Sequence, residues 1–203
     1  MKVIFYYSSV SEEGVIQEAL RDRQFIIKNN YEYWLPTGVT LDSPINKIRS
    51  AIKNELIPER MHQVQTSIED SLADCMPLLK AFAQQTRLLF PSKLVVTLTQ
   101  YGTGGSYELP NQVFINIRSN YGSPFSAFVH ELVHLLVEKP VVKRHRLSHS
   151  AKEGLVDYLI LNDPHLHQII LQYSAQDGMY TPSHQQLNKW FPGYNLLQHN
   201  ITQ

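Results

Sequence analysis

Five residues, His130-Glu131-Leu132-Val133-His134, carry the most specific chemical signal in the chain. On a helix, residues four apart lie on one face, so the imidazoles of His130 and His134 can grip a single metal ion. Glu131 lies next to that face, where its carboxylate can reach a water held in the ion's open position. The surrounding run, residues 123–138, reads as a helix: Ser123 caps it, and Pro124 takes the first position, where a missing N–H costs nothing. Phe125, Phe128, Val129, Leu132, Val133 and Leu136 cover most of the remaining circumference. Two histidines and a glutamate therefore sit on a helix otherwise built for burial. Such polar groups need partners, and a metal would satisfy both rings at once.

A catalytic zinc site takes three protein ligands and leaves a fourth position for water. The downstream candidates for the third ligand are Glu138, His145, His149, Glu153 and Asp157. Glu138 follows His134 by one turn of the same helix, and a straight helix cannot bring three collinear groups to one ion tetrahedrally. Glu153 comes after eighteen intervening residues, on a further helix starting near Ala151. A helix that turns back across the first could aim this carboxylate at the two imidazoles. Asp157, one turn beyond Glu153, is placed to accept the spare N–H of a ligating histidine and fix its tautomer. Acyl chemistry also needs a donor for the developing oxyanion. The candidates are Tyr158, His149, Tyr173, Tyr180 and His184, although Tyr158 is turned away from the Glu153 face.

The elements that must position these groups follow from composition and period. Residues 3–7 read as a strand, and Ser11 as the N-cap of a helix running to about Lys28, with Glu12 and Glu13 at its positive end. Residues 31–36 are aromatic and extended, and Thr37-Gly38 is a turn. Ser43-Pro44 starts the next helix, and the same device recurs at Ser123-Pro124, Asp163-Pro164 and Thr181-Pro182. Residues 59–89 are helical in period, with Pro77 expected to kink or divide them. Residues 93–100 are the clearest strand, and 112–118 a second one. The glycine-rich residues 101–107 between them read as a mobile hairpin loop. They lack the lysine of a phosphate cradle and do not open a helix. A loop over 139–150 and a tail of two or three short helices complete the chain.

The formal charge is zero, with 18 basic and 18 acidic residues, so no global field recruits nucleic acid or an anionic membrane. The basic cluster Lys143-Arg144-His145-Arg146 is short and reads as a solvated loop. A hydrophobic share of 43% supplies a sizeable core within 203 residues. Cys75 is the sole cysteine, which excludes an intramolecular disulfide and suits a reducing compartment. The N-terminus lacks the pattern of a signal peptide, and no apolar run approaches the ~20 residues that span a bilayer. The expectation is a soluble cytoplasmic protein with no nucleic-acid or membrane partner.

The motif at 130–134, eighteen residues, and then Glu153-Gly154-Leu155-Val156-x-Tyr158 resembles the gluzincin metallopeptidases, nearest their aminopeptidase-type and peptidase MA-like branches. The likeness covers residues 93–161. It implies one zinc ion per chain held by His130, His134 and Glu153, with Glu131 as general base and a peptide or protein as substrate. Asp157 is the candidate that holds a ligating histidine by its spare N–H, and Tyr158 is a candidate catalytic donor. The resemblance also implies an α+β, zincin-like core: a small, mostly antiparallel sheet on the active-site helix, then a mainly helical C-terminal part. An edge strand that pairs with substrate backbone is expected at Val113, Phe114, Ile115, Asn116 and Ile117. Lys152 stands where the aminopeptidase branch has asparagine, and the Gly-Ala-Met-Glu-Asn motif is missing, so aminopeptidase specificity is not implied. The core is expected over 91–203, with 1–90 an N-terminal region of unassigned role or part of one continuous domain. The alternative is a metallopeptidase-like regulator, or a non-catalytic metal-binding module, acting on one specific partner.

Overall fold

The computed structural model describes residues 1–28, 31–119, 122–170 and 180–194. The chain is mixed α and β. Its order is β1 (Lys2–Tyr6), α1 (Ser9–Arg21), α2 (Arg23–Lys28), β2 (Tyr33–Trp34), α3 (Ile45–Glu55), α4 (Pro58–Thr86) and β3 (Lys93–Thr99). Next come β4 (Gly102–Thr103), β5 (Gly105–Glu108), β6 (Gln112–Asn116), α5 (Pro124–Val137), α6 (His149–Asn162), α7 (Pro164–Ile169) and α8 (His184–Trp190). A short π-helical segment, Glu138–Lys143, extends α5 over part of the expected loop. Among the described residues, no helix is long and apolar enough to cross a membrane.

The main sheet has the order β1-β3-β6-β5. β1 runs parallel to β3 and β3 parallel to β6, and only β5 is antiparallel, to β6. The expectation of a mostly antiparallel sheet is therefore corrected. The cause lies in the glycine-rich segment, which is not a loop but two short strands, β4 and β5. β5 supplies the return leg, so β6 turns back into the gap between β3 and β5 and must run parallel to β3. The same pairing corrects the edge strand. Val113, Phe114, Ile115 and Asn116 lie on β6, inside the sheet, with Ile117 just past its end; the edge is β5.

Central strands are buried on both faces, as a parallel arrangement requires. Leu94, Val96, Leu98, Val113 and Ile115 face the main core with α4 and α5. Thr97 and Thr99 are buried on the other face. A smaller core joins Ile16, Val39, Ile48, Ile52 and Tyr101.

Helix starts follow the capping rules with three shifts. Ser8, not Ser11, caps α1: its hydroxyl accepts the Ser11 N–H. Glu12 is then one turn in and fully buried, its carboxylate accepting the Gln100 and Tyr101 N–H groups at 2.8 and 3.3 Å. Pro44 is itself the cap position of α3, while the Ser43 hydroxyl is used by the Thr40 N–H. Ser183, in a capping box with Gln186, starts α8 in place of Thr181-Pro182. Ser123-Pro124 and Asp163-Pro164 start α5 and α7 as expected. Pro77 stays inside α4, which runs undivided.

Candidate metal centre

α5 is buried from Ser126 to Val137, and its apolar circumference explains why it threads the core instead of lying on it. α6 starts at the Ser148 cap and packs beside it. Gly154 is required there, because a Cβ would fall 1.6 Å from the Tyr180 carbonyl oxygen, so only glycine admits that strand of backbone. The glycine following the candidate ligand glutamate thus has a packing cause.

The crossing of α5 and α6 brings together His130, His134 and Glu153, all buried, as a group able to hold a metal ion. The two Nε2 atoms are 3.0 Å apart. Glu153 Oε2 lies 2.9 Å from His134 Nε2 and 3.7 Å from His130 Nε2. Donor atoms on a tetrahedral ion with bonds of ~2.0–2.1 Å are ~3.3 Å apart, a value within the 2.9–3.7 Å spread of this triangle. Two nitrogens and one carboxylate oxygen converge with at most one proton to share per contact, and a cation satisfies all three.

The electrostatics fit the same reading. Glu131, Glu153 and Asp157 are three buried carboxylates on this small volume. Burial and the Glu153 charge push Glu131 up to about 7 against the pull of His130 and Lys152. Burial pushes His134 down to about 4, toward the neutral form that ligates metal. Burial works the same way on His130, but Glu153, Glu131 and Asp157 together turn it upward. Burial opposes ionisation of Glu153, yet His130, His134 and Lys152 hold it far below the usual carboxylate range.

The surroundings orient the rings. Asp157 Oδ1 lies 3.8 Å from His130 Nδ1, the ring nitrogen that faces away from the other two candidate ligands. His134 Nδ1 is buried with no hydrogen-bond partner among the described residues. Its ring is instead stacked on Tyr107 of β5, with centroids 5.3 Å apart and planes 7° from parallel. Tyr107 is anchored by its hydroxyl, which donates to Glu138 Oε2 at 2.7 Å. Glu153 Oε1 faces Lys152 Nζ at 3.2 Å and His149 Nδ1 at 3.7 Å.

The group opens onto a cleft of about 620 Å³, walled by β5 on one side and by the first turn of α6 on the other. Glu131 faces Gly105 so closely that a Cβ there would lie 2.6 Å from its Oε1. Of the oxyanion donors read from sequence, His149 lines the cleft. Tyr158 is corrected: five residues past Glu153, it is carried round the helix to pack on the main core. Tyr180 is exposed and bonds Gln186, and His184 opens α8, neither lining the cleft. Tyr173 lies outside the described residues. Sequence reasoning missed Gly105, Tyr107 and Tyr31. The signal for the first two is the glycine-rich segment 101–107, which forms two short strands in place of the expected loop. Tyr31 meets His149 across the fold, its hydroxyl bonded to His149 Nε2, and burial and the Glu153 charge raise its phenol.

No protein-family model matches the chain, and no curated protein or solved structure matches it significantly. Fold and site define a mixed α and β chain with a buried two-histidine, one-glutamate group that can hold a metal. That group is compatible with a gluzincin ligand set.

Proposed function

We propose that the chain is a zinc-dependent metallopeptidase in which His130, His134 and Glu153 hold the ion and Glu131 is the general base. The observation that carries this reading is the placement of Glu131: a buried carboxylate beside the ligand triangle, at the floor of a cleft with a sheet edge as its wall. Zinc in such a site lowers the pKa of water toward ~7 and polarises a carbonyl. Glu131 takes a proton from the attacking water as its oxygen bonds to the carbonyl carbon. The same carboxyl returns the proton to the amine nitrogen as the C–N bond breaks. Asp157 steadies His130, and stacking on Tyr107 steadies His134. Of the oxyanion donors read from sequence, His149 is the one that lines the cleft among the described residues, with the Tyr31 hydroxyl on its Nε2.

The test is zinc content and peptide hydrolysis measured on the same preparation, with Glu131→Gln as control. The reading predicts retained zinc and lost hydrolysis in the variant. Equal hydrolysis by both proteins contradicts it, and a biological activity unchanged by the substitution favours a metal-stabilised binding module.

A further inference from the structure

A second, smaller space adjoins the cleft on the other face of the sheet. Side chains alternate along a strand, so position 105, paired with Ile115, faces α5, while Ser106 and its partner Phe114 face the opposite way. On that side α1 and α2 leave a cavity of about 150 Å³, with Val15, Ala19, Phe25 and Ile26 on the helical wall and Thr99 and Phe114 on the strands. An apolar cavity of on the order of 150 Å³ admits a benzene-sized group, so this one has room for a single side chain. The cavity and the metal cleft share Asp22, Tyr31, Gly105 and Ser106, and so meet at the start of β5. Gly105 is also where a Cβ would lie 2.6 Å from Glu131 Oε1. The mouth of the cavity therefore stands beside the carboxylate that the proposed reaction uses.

The lining fixes the chemistry of an occupant. Its buried polar groups are already used: the Asn116 amide donates to the Tyr101 and Thr103 carbonyls, the Tyr101 hydroxyl to Glu55, and the Thr99 hydroxyl to the Tyr101 carbonyl. They need no partner from an occupant, and the helical wall offers it apolar surface. Charge on the lining is of one sign. Glu18 and Asp22 line the cavity, and no lysine, arginine or histidine does. Neither acid is in an ion pair among the described residues. Both stand at the C-terminal end of α1, in its last turn and at its cap, where the helix dipole favours a cation over a carboxylate. The neighbouring bases are turned elsewhere: Arg23 pairs with Asp42, and Arg21 does not line the cavity. An apolar stem with a positive end suits both features of the lining, and among side chains that is lysine or arginine.

We infer that, on the peptidase reading above, this cavity selects the substrate by taking the side chain of a lysine or arginine next to the cleaved bond. The N-terminal third, which supplies α1 and α2, then sets specificity. Selection by charge is modest, because both acids are exposed and an exposed charge pair contributes only a small factor.

The experiment gives the full-length, zinc-loaded protein a random decapeptide library, with products read by mass spectrometry. Lysine and arginine are expected at one of the two positions flanking the cleaved bond. Matched peptides with lysine, norleucine or glutamate at that position then give ratios of kcat/KM. Lysine exceeds norleucine by about tenfold, and glutamate by more. Added salt lowers the lysine preference, as it does for exposed charges. Glu18→Gln lowers the lysine-to-norleucine ratio by about threefold, and Glu18→Lys reverses it. Equal rates for lysine and norleucine, a preference for acidic side chains, or a lysine preference untouched in both variants overturns the inference and leaves the peptidase reading standing. If no library peptide is cleaved, fluorescence anisotropy with Glu131→Gln decides. A lysine peptide held about tenfold tighter than its norleucine match, with the difference lost when Glu18→Lys is added, keeps the cavity assignment while the peptidase reading falls. Equal binding ends both.

Discussion

Two buried glutamates invite comparison. Glu12 on α1 and Glu131 on α5 are both withdrawn from water, and burial pushes both up to about 7. They lie near the same segment, Glu12 beneath Gln100 and Tyr101, Glu131 against Gly105. Their surroundings differ. Glu12 is satisfied by two backbone N–H groups and ties α1 to the end of β3. Glu131 makes no side-chain hydrogen bond among the described residues and faces a cleft beside two histidines. A buried acid bonded to fixed amides is a structural clasp. One that opens onto a cleft beside a group able to hold a metal is placed to act on what enters the cleft.

The largest expected effect strikes the second acid. Glu131→Gln lowers peptide hydrolysis by about 10²–10⁴-fold with zinc content unchanged, measured by turnover and elemental analysis side by side. Gly105→Ala follows. Its new methyl must displace the Glu131 carboxylate, and turnover falls by about 10²-fold, again without zinc loss. A variant that loses zinc in step with activity would instead place Gly105 among the supports of the metal group. Asp157→Asn weakens zinc binding by about 10–100-fold in a competition titration with a chelator.

The smallest effect belongs to Glu12 and concerns stability. Its folded pKa is raised from the model-peptide value of 4.5 to about 7, so the protonated form is favoured by folding. That contribution is complete below about pH 4.5 and is lost as pH rises through about 7, a change of about 3 kcal/mol. Chemical denaturation between pH 5 and pH 8 should show declining stability over this range, with the decline reduced in Glu12→Gln to the part that Glu131 contributes. A variant that follows the wild-type profile would assign the pH dependence elsewhere.

What could be read in the sequence divides along the same line. His130, Glu131 and His134 are legible because helical spacing alone puts them together, and α5 carries its own cap and apolar surface. Glu153 is legible through its spacing and the glycine after it, for which the Tyr180 contact supplies the cause. β5 was not legible, because three glycines within residues 101–107 conceal a strand whose pairing is set by β6. Nor was the reach of Tyr31 to His149, since no local period links residues that meet only after the sheet closes. Glu12 shows the same failure: at the start of a helix an acid reads as a partner of the dipole, and only the tertiary fold turns it inward.

The central claim is that His130, His134 and Glu153 hold one zinc ion beneath the cleft. Elemental analysis of the protein purified without chelator tests it most directly, with His134→Ala prepared in parallel. The account predicts about one zinc per chain in the wild type and a small fraction of that in the variant. Less than about half an equivalent in the wild type, or equal zinc in both proteins, would contradict it.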